Sequence, residues 1–316
     1  MEPLFYILMG LAALVGVYEG WKLPARRRLW LRLRIWWLTI QLQNEGPQEV
    51  EPVEVVVERQ VESKPHPTIT RAGALFLFEE DGLRCGFDPR WGHGAVVGKS
   101  GSGKGNALQL LTLLTLTEYK DEAELWVIDR KNGLDYAAFL KFPQFKLFRG
   151  RGDQTVIGLK AVETEMERRL ELLFATGSRN LGEYNKKRSE PLPYLVLICD
   201  ELADFENEHK KYVESFAALY RACGLVLIVA TQHPLATHLS TTIQSNLNWR
   251  FVFKTTPKSA LVATGVSSKA ELEIDPSTGA IGKAVKIHNE EWSWVLVPEL
   301  TSDWRDAIIE SEVQDA

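Results

Sequence analysis

Between Ala95 and Asn106 the chain reads AVVGKSGSGKGN, and no other stretch narrows the fold as much. Four glycines and two serines fall within the eight residues from Gly98 to Gly105. The spacing fits G-x-x-x-x-G-K, opened by Gly98 and closed by Gly103-Lys104. Glycines let successive backbone N–H groups turn inward with no Cβ in the way, which makes a nest for an anion. Lys104 brings a cation to β- and γ-phosphates, and a helix beginning near Gly105 adds its positive end. NALQLLTLLTLTEY, from Asn106 onward, has the leucine content of such a helix, although its threonines blur the pattern. The candidate phosphate-binding residues are Gly98, Lys99, Ser100, Gly101, Ser102, Gly103, Lys104, Gly105 and Asn106. One position departs from the pattern. A Ser or Thr hydroxyl for Mg²⁺ is expected after the lysine, and Gly105 stands there. The plain alternative is a flexible Gly/Ser turn between a strand and a helix.

Context favours the phosphate site. Tyr194 to Cys199 (YLVLIC) is a continuous apolar run that ends in Asp200-Glu201. A buried strand with an aspartate at its carboxyl tip can hold Mg²⁺, and the next glutamate can polarise an attacking water. Leu225 to Ala230 (LVLIVA) is a second such run, ending in Thr231-Gln232-His233-Pro234, where an amide can sense a γ-phosphate or orient water. Leu125 to Ile128 (LWVI) leads to Asp129-Arg130-Lys131, which reads either as ligand groups at a strand tip or as a solvated loop. Arg250 to Lys254 (RFVFK) is a further strand. Val156 to Phe174 is helical, with Leu159, Val162, Met166, Leu170 and Leu173 as its apolar stripe. Arg179 to Arg188 (RNLGEYNKKR) reads as a solvated basic segment or a contact for a polyanion. Val213 to Ala222 is helical and closed by Gly224. Short apolar runs at 74–78 and 83–87 form an entering hairpin, those at 284–289 and 292–298 a closing one, and the polar last residues fray. Buried strands alternating with helices predict an α/β fold, a mostly parallel sheet with helices on both faces.

The amino end has another character. Leu4 to Tyr18 carries no charge, and Trp21, Lys22 and Arg26-Arg27-Arg28 follow. The run is shorter than the roughly 20 apolar residues a span needs. Its basic flank nevertheless predicts a membrane anchor with the main domain on the cytoplasmic side of the membrane. A signal peptide and a buried core helix are the alternatives. Leu29 to Leu42 mixes tryptophan with arginine, as at a membrane interface, or forms a second spanning or re-entrant segment. Residues 44–67 are acidic and hold four prolines, as a linker does. The expected organisation is an anchor over 1–43, a linker over 44–67 and an ATPase-like domain over 68–316. The net charge of −5 confines any nucleic-acid contact to local basic patches. Cys85, Cys199 and Cys223 are too scattered for a metal cluster or a disulfide framework.

Several strings now stand in a telling order: GKSGSGKG, VIDRK, EMERRLELL, RNLGEYN, YLVLICDELADF, YRACGLVLIVATQHP and SNLNWRFVFKT. Together, over about Gly86 to Pro298, they resemble the FtsK/SpoIIIE family of DNA translocases. The resemblance implies a RecA-like, P-loop ATPase that assembles as a ring, usually a hexamer, around double-stranded DNA. It implies ATP and Mg²⁺ as ligands, Lys104 on the phosphates, Asp200 on the metal, Glu201 as the base and Gln232 as the sensor. Arg250, with Arg221 second, is the arginine expected to reach a neighbouring subunit's ATP. Lys210-Lys211 and Lys254 to Lys258 are candidates for a pore. The chain ends soon after its last strands, so the family's winged-helix module is not expected. A small member serving conjugation or packaging fits, with a relaxase or secretion channel as partner. A nucleotide-binding adaptor weakened by Gly105 and a protein-secretion ATPase are the competing readings.

Overall fold

The computed structural model describes residues 77–235 and 238–314. The expected membrane anchor, interfacial segment and linker lie outside these residues. Among the described residues, no helix is long and apolar enough to cross a membrane.

The chain enters through β1 (Phe78–Glu80) and β2 (Leu83–Cys85), an antiparallel hairpin. Its two turn residues, Asp81 and Gly82, both have positive φ, which matches the twist of the strands they join. Next come β3 (Gly94–Val97), α1 (Lys104–Glu118), β4 (Ala123–Asp129), β5 (Phe145–Arg149) and α2 (Asp153–Ala175). They are followed by α3 (Leu181–Lys186), β6 (Tyr194–Asp200), α4 (Asn207–Leu219), β7 (Leu225–Thr231) and α5 (Thr241–Ser245). The remaining elements are β8 (Trp249–Phe253), α6 (Pro257–Thr264), β9 (Lys283–His288), β10 (Glu291–Leu296) and α7 (Ser302–Gln314).

The ten strands of the described residues form one sheet, in the order β2-β1-β10-β9-β8-β3-β7-β6-β4-β5. From β8 to β5 the pairing is parallel, and from β8 out to β2 it is antiparallel. Strand β3 therefore sits between β7 and β8, and the chain leaves it for a strand three places away. Such a crossover opens a crevice at the carboxyl ends of the strands, where open α/β sheets bind ligands.

Side-chain alternation explains why these strands are apolar throughout. In β6, Val196 and Ile198 point to one face, with Leu108, Leu111 and Leu114 of α1 and Ile309 of α7. Leu195, Leu197 and Cys199 point to the other, with Leu159, Val162 and Met166 of α2 and Val213 and Phe216 of α4. A strand covered on both faces has no polar side to show. Helix α1 is buried nearly all round, which is why its sequence carries no clear amphipathic stripe.

Four expectations need correction. The apolar stripe of α2 continues through Arg169, which is 1 % exposed, and not through Leu170, which is 40 % exposed. Arg169 fits because its guanidinium donates to Pro193 O (2.6 Å), Cys223 O (3.3 Å) and Glu165 (2.7 Å). The segment from Arg179 is not simply solvated: Asn180 caps α3 by accepting from Glu183 N–H, and Leu181 and Tyr184 are buried. The carboxyl end does not fray after the last strand, because α7 buries Ile309 in the core and packs Trp304 and Ile308 against it. The closing hairpin turns at Asn289-Glu290, both with positive φ, so Glu291 belongs to β10.

Candidate nucleotide site

The loop from Gly98 to Gly103 runs from the tip of β3 to the start of α1. Its backbone crosses both neighbouring strand tips. Gly98 N–H donates to Thr231 O (3.2 Å) at the end of β7, and Lys99 N–H donates to Lys254 O (3.1 Å) just after β8. Gly98 admits no side chain, since a Cβ there would stand 2.5 Å from Ser102 Oγ and 2.6 Å from Phe253 Cβ. Gly101 and Gly103 have φ of 72° and 111°, which favours glycine. The loop thus has the curvature that an anion nest requires. Ser102 is buried, and its Oγ has no hydrogen-bond partner among the described residues.

Lys104 is the first residue of α1 and is 6 % exposed. Its Nζ lies 3.1 Å from Asp200 Oδ1 and 3.8 Å from Glu201 Oε2. Residues 96 positions apart in sequence thus meet in one place. The register explains it: β3 pairs with β7 and β7 with β6, so the three strand tips share one edge of the sheet. Asp200 Oδ2 accepts from Tyr136 Oη at 3.2 Å. Tyr136 is buried, and burial together with the charges of Asp200 and Asp129 pushes its hydroxyl well above the usual tyrosine range. It stays a donor at every physiological pH.

Glu201 is 3 % exposed and adopts φ 53°, a left-handed conformation that is costly for a residue with a side chain. The carboxylate is held firmly. Oε1 accepts from Gln232 N–H (2.8 Å) and Thr231 Oγ1 (3.2 Å), and Oε2 lies 3.4 Å from Lys131 Nζ. Burial opposes the charge on Lys131, but the carboxylates of Glu201 and Asp200 outweigh it and raise its pKa. Asp129 accepts from the N–H groups of Lys131 (2.9 Å) and Gly133 (2.7 Å), which folds the chain after β4 toward the site. Burial pushes its carboxyl up. Arg130 is buried, paired with Glu206 and set over the Phe205 ring, 5.8 Å from its centre. Its neighbour Lys131 is the one that faces the cavity.

A cavity of about 740 Å³ joins these groups. Lys99, Ser100, Gly101, Gly103, Lys104, Gly105 and Asn106 line it, together with Lys131, Asp200 and Gln232. The structure thus gathers the loop, Asp200, Glu201 and Gln232 at one edge of the sheet. Asn106 lies in the wall, but its amide is occupied elsewhere: Nδ2 donates to Pro298 O, and Oδ1 accepts from Leu300 N–H at 2.7 Å. Nothing lies within 4 Å of where a Cβ on Gly105 would stand.

The structure does not bring Arg250 or Arg221 to this cavity. Arg250 sits near the amino end of β8, the opposite end from the loop, where its Nη2 donates to Gln244 O at 2.9 Å. Burial lowers its pKa. Arg221 lines a separate cavity of about 470 Å³ with Asn180 and Asn246. Sequence reasoning missed Tyr136 and Thr231 as partners of the two acids. Thr231 was visible as the polar residue ending an apolar run; nothing in the sequence around Tyr136 singled it out.

Residues 70–191 match the FtsK/SpoIIIE family. The chain is 33 % identical to the DNA translocase FtsK of Chlorobaculum tepidum over 205 residues, 60 % of this chain and 25 % of that protein. It is 31 % identical to the DNA translocase SftA of Bacillus subtilis over 214 residues, 64 % of this chain and 21 % of that protein. The chain thus spans about a quarter of the length of these relatives. Among solved structures, the pCW3 conjugation coupling protein TcpA, in its monomer form with ATPγS, shares the fold with a TM-score of 0.57 at 23 % identity, over 70 % of this chain and 64 % of that one. EssC ATPases 2 and 3 of Geobacillus thermodenitrificans share it with a TM-score of 0.60 at 16 % identity, over 72 % and 44 %. Through residues 70–191, which contain the phosphate loop, this chain carries a stretch of the FtsK/SpoIIIE family.

Proposed function

We propose that the chain is an ATP-driven translocase of double-stranded DNA, tethered to the membrane by its amino end and working as a ring, usually of six copies. Its task in this reading is DNA transfer or packaging, with a relaxase or a secretion channel as partner. One observation carries the catalytic core of the reading: the Lys104 ammonium and the Asp200 carboxylate meet at 3.1 Å in the wall of a single cavity. The family's curated relatives are named DNA translocases, which supports the DNA substrate.

In this reading the loop amides and Lys104 bind the β- and γ-phosphates of ATP. The acids fit Mg²⁺, because that ion needs one or two carboxylates and takes its other ligands from phosphate and water. Asp200 would hold it, and Mg²⁺ would neutralise charge on the phosphates. Glu201 accepts the proton of the attacking water. Thr231 and the Gln232 N–H fix one carboxylate oxygen of Glu201, and the Gln232 side chain senses the γ-phosphate. Arg250 is the proposed arginine for a neighbouring copy's nucleotide, with Arg221 second; Arg221 is the more exposed of the two. Gly105 sustains the second reading, a nucleotide-dependent adaptor with slow hydrolysis, since it removes a metal ligand from the loop.

The test is the ATPase rate of the full chain with and without linear duplex DNA. The motor reading expects DNA to raise the rate, and expects Glu201→Gln to bind ATP normally while turnover falls at least 100-fold. A rate indifferent to DNA, or an active Glu201→Gln, would overturn it.

A further inference from the structure

Arg130 and Lys131 are neighbours in sequence with opposite surroundings. Lys131 lines the nucleotide cavity, and its Nζ stands 3.4 Å from Glu201 Oε2. Arg130 is outside the cavity wall and is 4 % exposed. Both of its hydrogen bonds go to one side chain: Nη1 and Nη2 donate to the two carboxylate oxygens of Glu206. Its Nε is buried and has no hydrogen-bond partner among the described residues. The Phe205 ring covers one face of the guanidinium. A buried cation thus depends on a single carboxylate, and the side chain that carries it is 48 % exposed. Two parallel hydrogen bonds between planar groups fix direction as well as distance.

The turn after β4 is pinned on both sides of Lys131. Asp129 accepts from the N–H groups of Lys131 and Gly133, and Gly133 has φ 66° with Leu147 and Arg149 packed beside it. Arg130 is the anchor on the other side, and it ends on α4. Glu206 is the residue before the first turn of that helix, and its carbonyl accepts from Lys210 N–H at 3.0 Å. His209 of the same turn sets its Nδ1 against the Glu206 carboxylate. If Glu206 loses its charge, the buried guanidinium has no counter-ion, and a buried unpaired charge moves toward water. Arg130 cannot move without the backbone it shares with Lys131. The consequence falls on Glu201. Its Oε1 is taken by Gln232 N–H and Thr231 Oγ1, so Oε2 is left to meet a water. Lys104 also lies near Oε2, at 3.8 Å, but with nucleotide bound it turns to the phosphates. Lys131 is then the cation that stays.

We propose that Arg130 and Glu206 form a clamp that aims Lys131, and that Lys131 in turn fixes Oε2 of Glu201 for water activation. All three are positioning residues that act through Glu201. The inference rests on the hydrolytic reading of the site, and the experiment separates the two. Steady-state kcat and KM for ATP are measured on the full chain, on Glu206→Gln, on Lys131→Met and on the double variant. ATP binding with Mg²⁺ is measured on the same proteins by calorimetry. Glu206 is exposed, and glutamine keeps its length and one acceptor, so the core loses nothing. Circular dichroism checks the fold of each variant.

Lys131→Met should lower kcat about tenfold or more, and Glu206→Gln about three- to tenfold, each with ATP affinity within about threefold of the wild type. In the Lys131→Met background, Glu206→Gln should cost less than about twofold, because a clamp with nothing to aim has no effect. A purely structural role for Glu206 would instead cost the same in both backgrounds. An unchanged kcat in either single variant would overturn the clamp and leave the phosphate site standing. So would additive losses in the double variant, affinity that falls in parallel with kcat, or a variant that fails to fold. A wild type that does not hydrolyse ATP would overturn the hydrolytic reading itself and the clamp with it.

Discussion

Glu201 is held more tightly than a free base would be. Its carboxylate meets two donors from the tip of β7, and Lys131 and Lys104 lie on its other oxygen, while its backbone is strained. Holding a carboxylate this way fixes its direction, which a water-activating group requires. Thr231→Val keeps the shape and removes one donor, so kcat should fall about three- to tenfold with little change in KM, measured by steady-state ATP hydrolysis. Gly105 is the residue at which the loop departs from pattern, and the space over it is open. Gly105→Ser should therefore fold normally and raise kcat about tenfold by restoring a hydroxyl ligand; an unchanged or lower rate would show that this hydroxyl is not what limits turnover. The acids and the lysine of this site were legible in the sequence because each ends or follows a distinctive run. Tyr136 was not, since its contact with Asp200 spans 64 residues and arises from how the chain folds back after β4.

Among the elements, the strands were the most legible, because burial on both faces writes itself as an unbroken apolar run. Helix α2 shows the limit of that logic: its stripe contains a buried arginine whose partners are carbonyls on other segments, and no periodicity reveals them. Arg169→Leu would leave Pro193 O and Cys223 O without this donor and Glu165 with Arg168 alone, so unfolding free energy should drop by about 2–4 kcal/mol in a denaturant melt. A second hidden device lies at the start of β3, where buried His93 accepts from Leu227 N–H at 3.0 Å through Nδ1. Burial, reinforced by the Arg221 charge, lowers its pKa from 6.5 to about 4. The unfolded chain takes up this proton first, so the fold is fully stable above about pH 6.5 and loses stability as pH falls toward 4. The loss is about 3 kcal/mol from this group. His93→Gln, which can still accept from Leu227, should flatten that part of the pH–stability curve; a curve as steep as the wild type's would assign the effect to another group.

At the scale of the whole molecule, two neighbouring regions of one sheet divide the work. The parallel half carries the charged tips, and the antiparallel half brings Leu296, at the end of β10, to the cavity beside the loop. The net charge of −5 means that the protein's overall field repels DNA, so in the proposed motor DNA binding would rest on local basic groups that displace counterions. Affinity for linear duplex should therefore fall at least tenfold between 50 and 200 mM salt, in sequence-independent fashion. A translocase must move along the duplex, and displacement of a third strand from a DNA triplex by the full chain reads that movement out. Displacement should need ATP, stop with Glu201→Gln and be absent with a non-hydrolysable analogue. Displacement without ATP, or none at all while ATP is being hydrolysed on duplex DNA, would contradict the proposed motor.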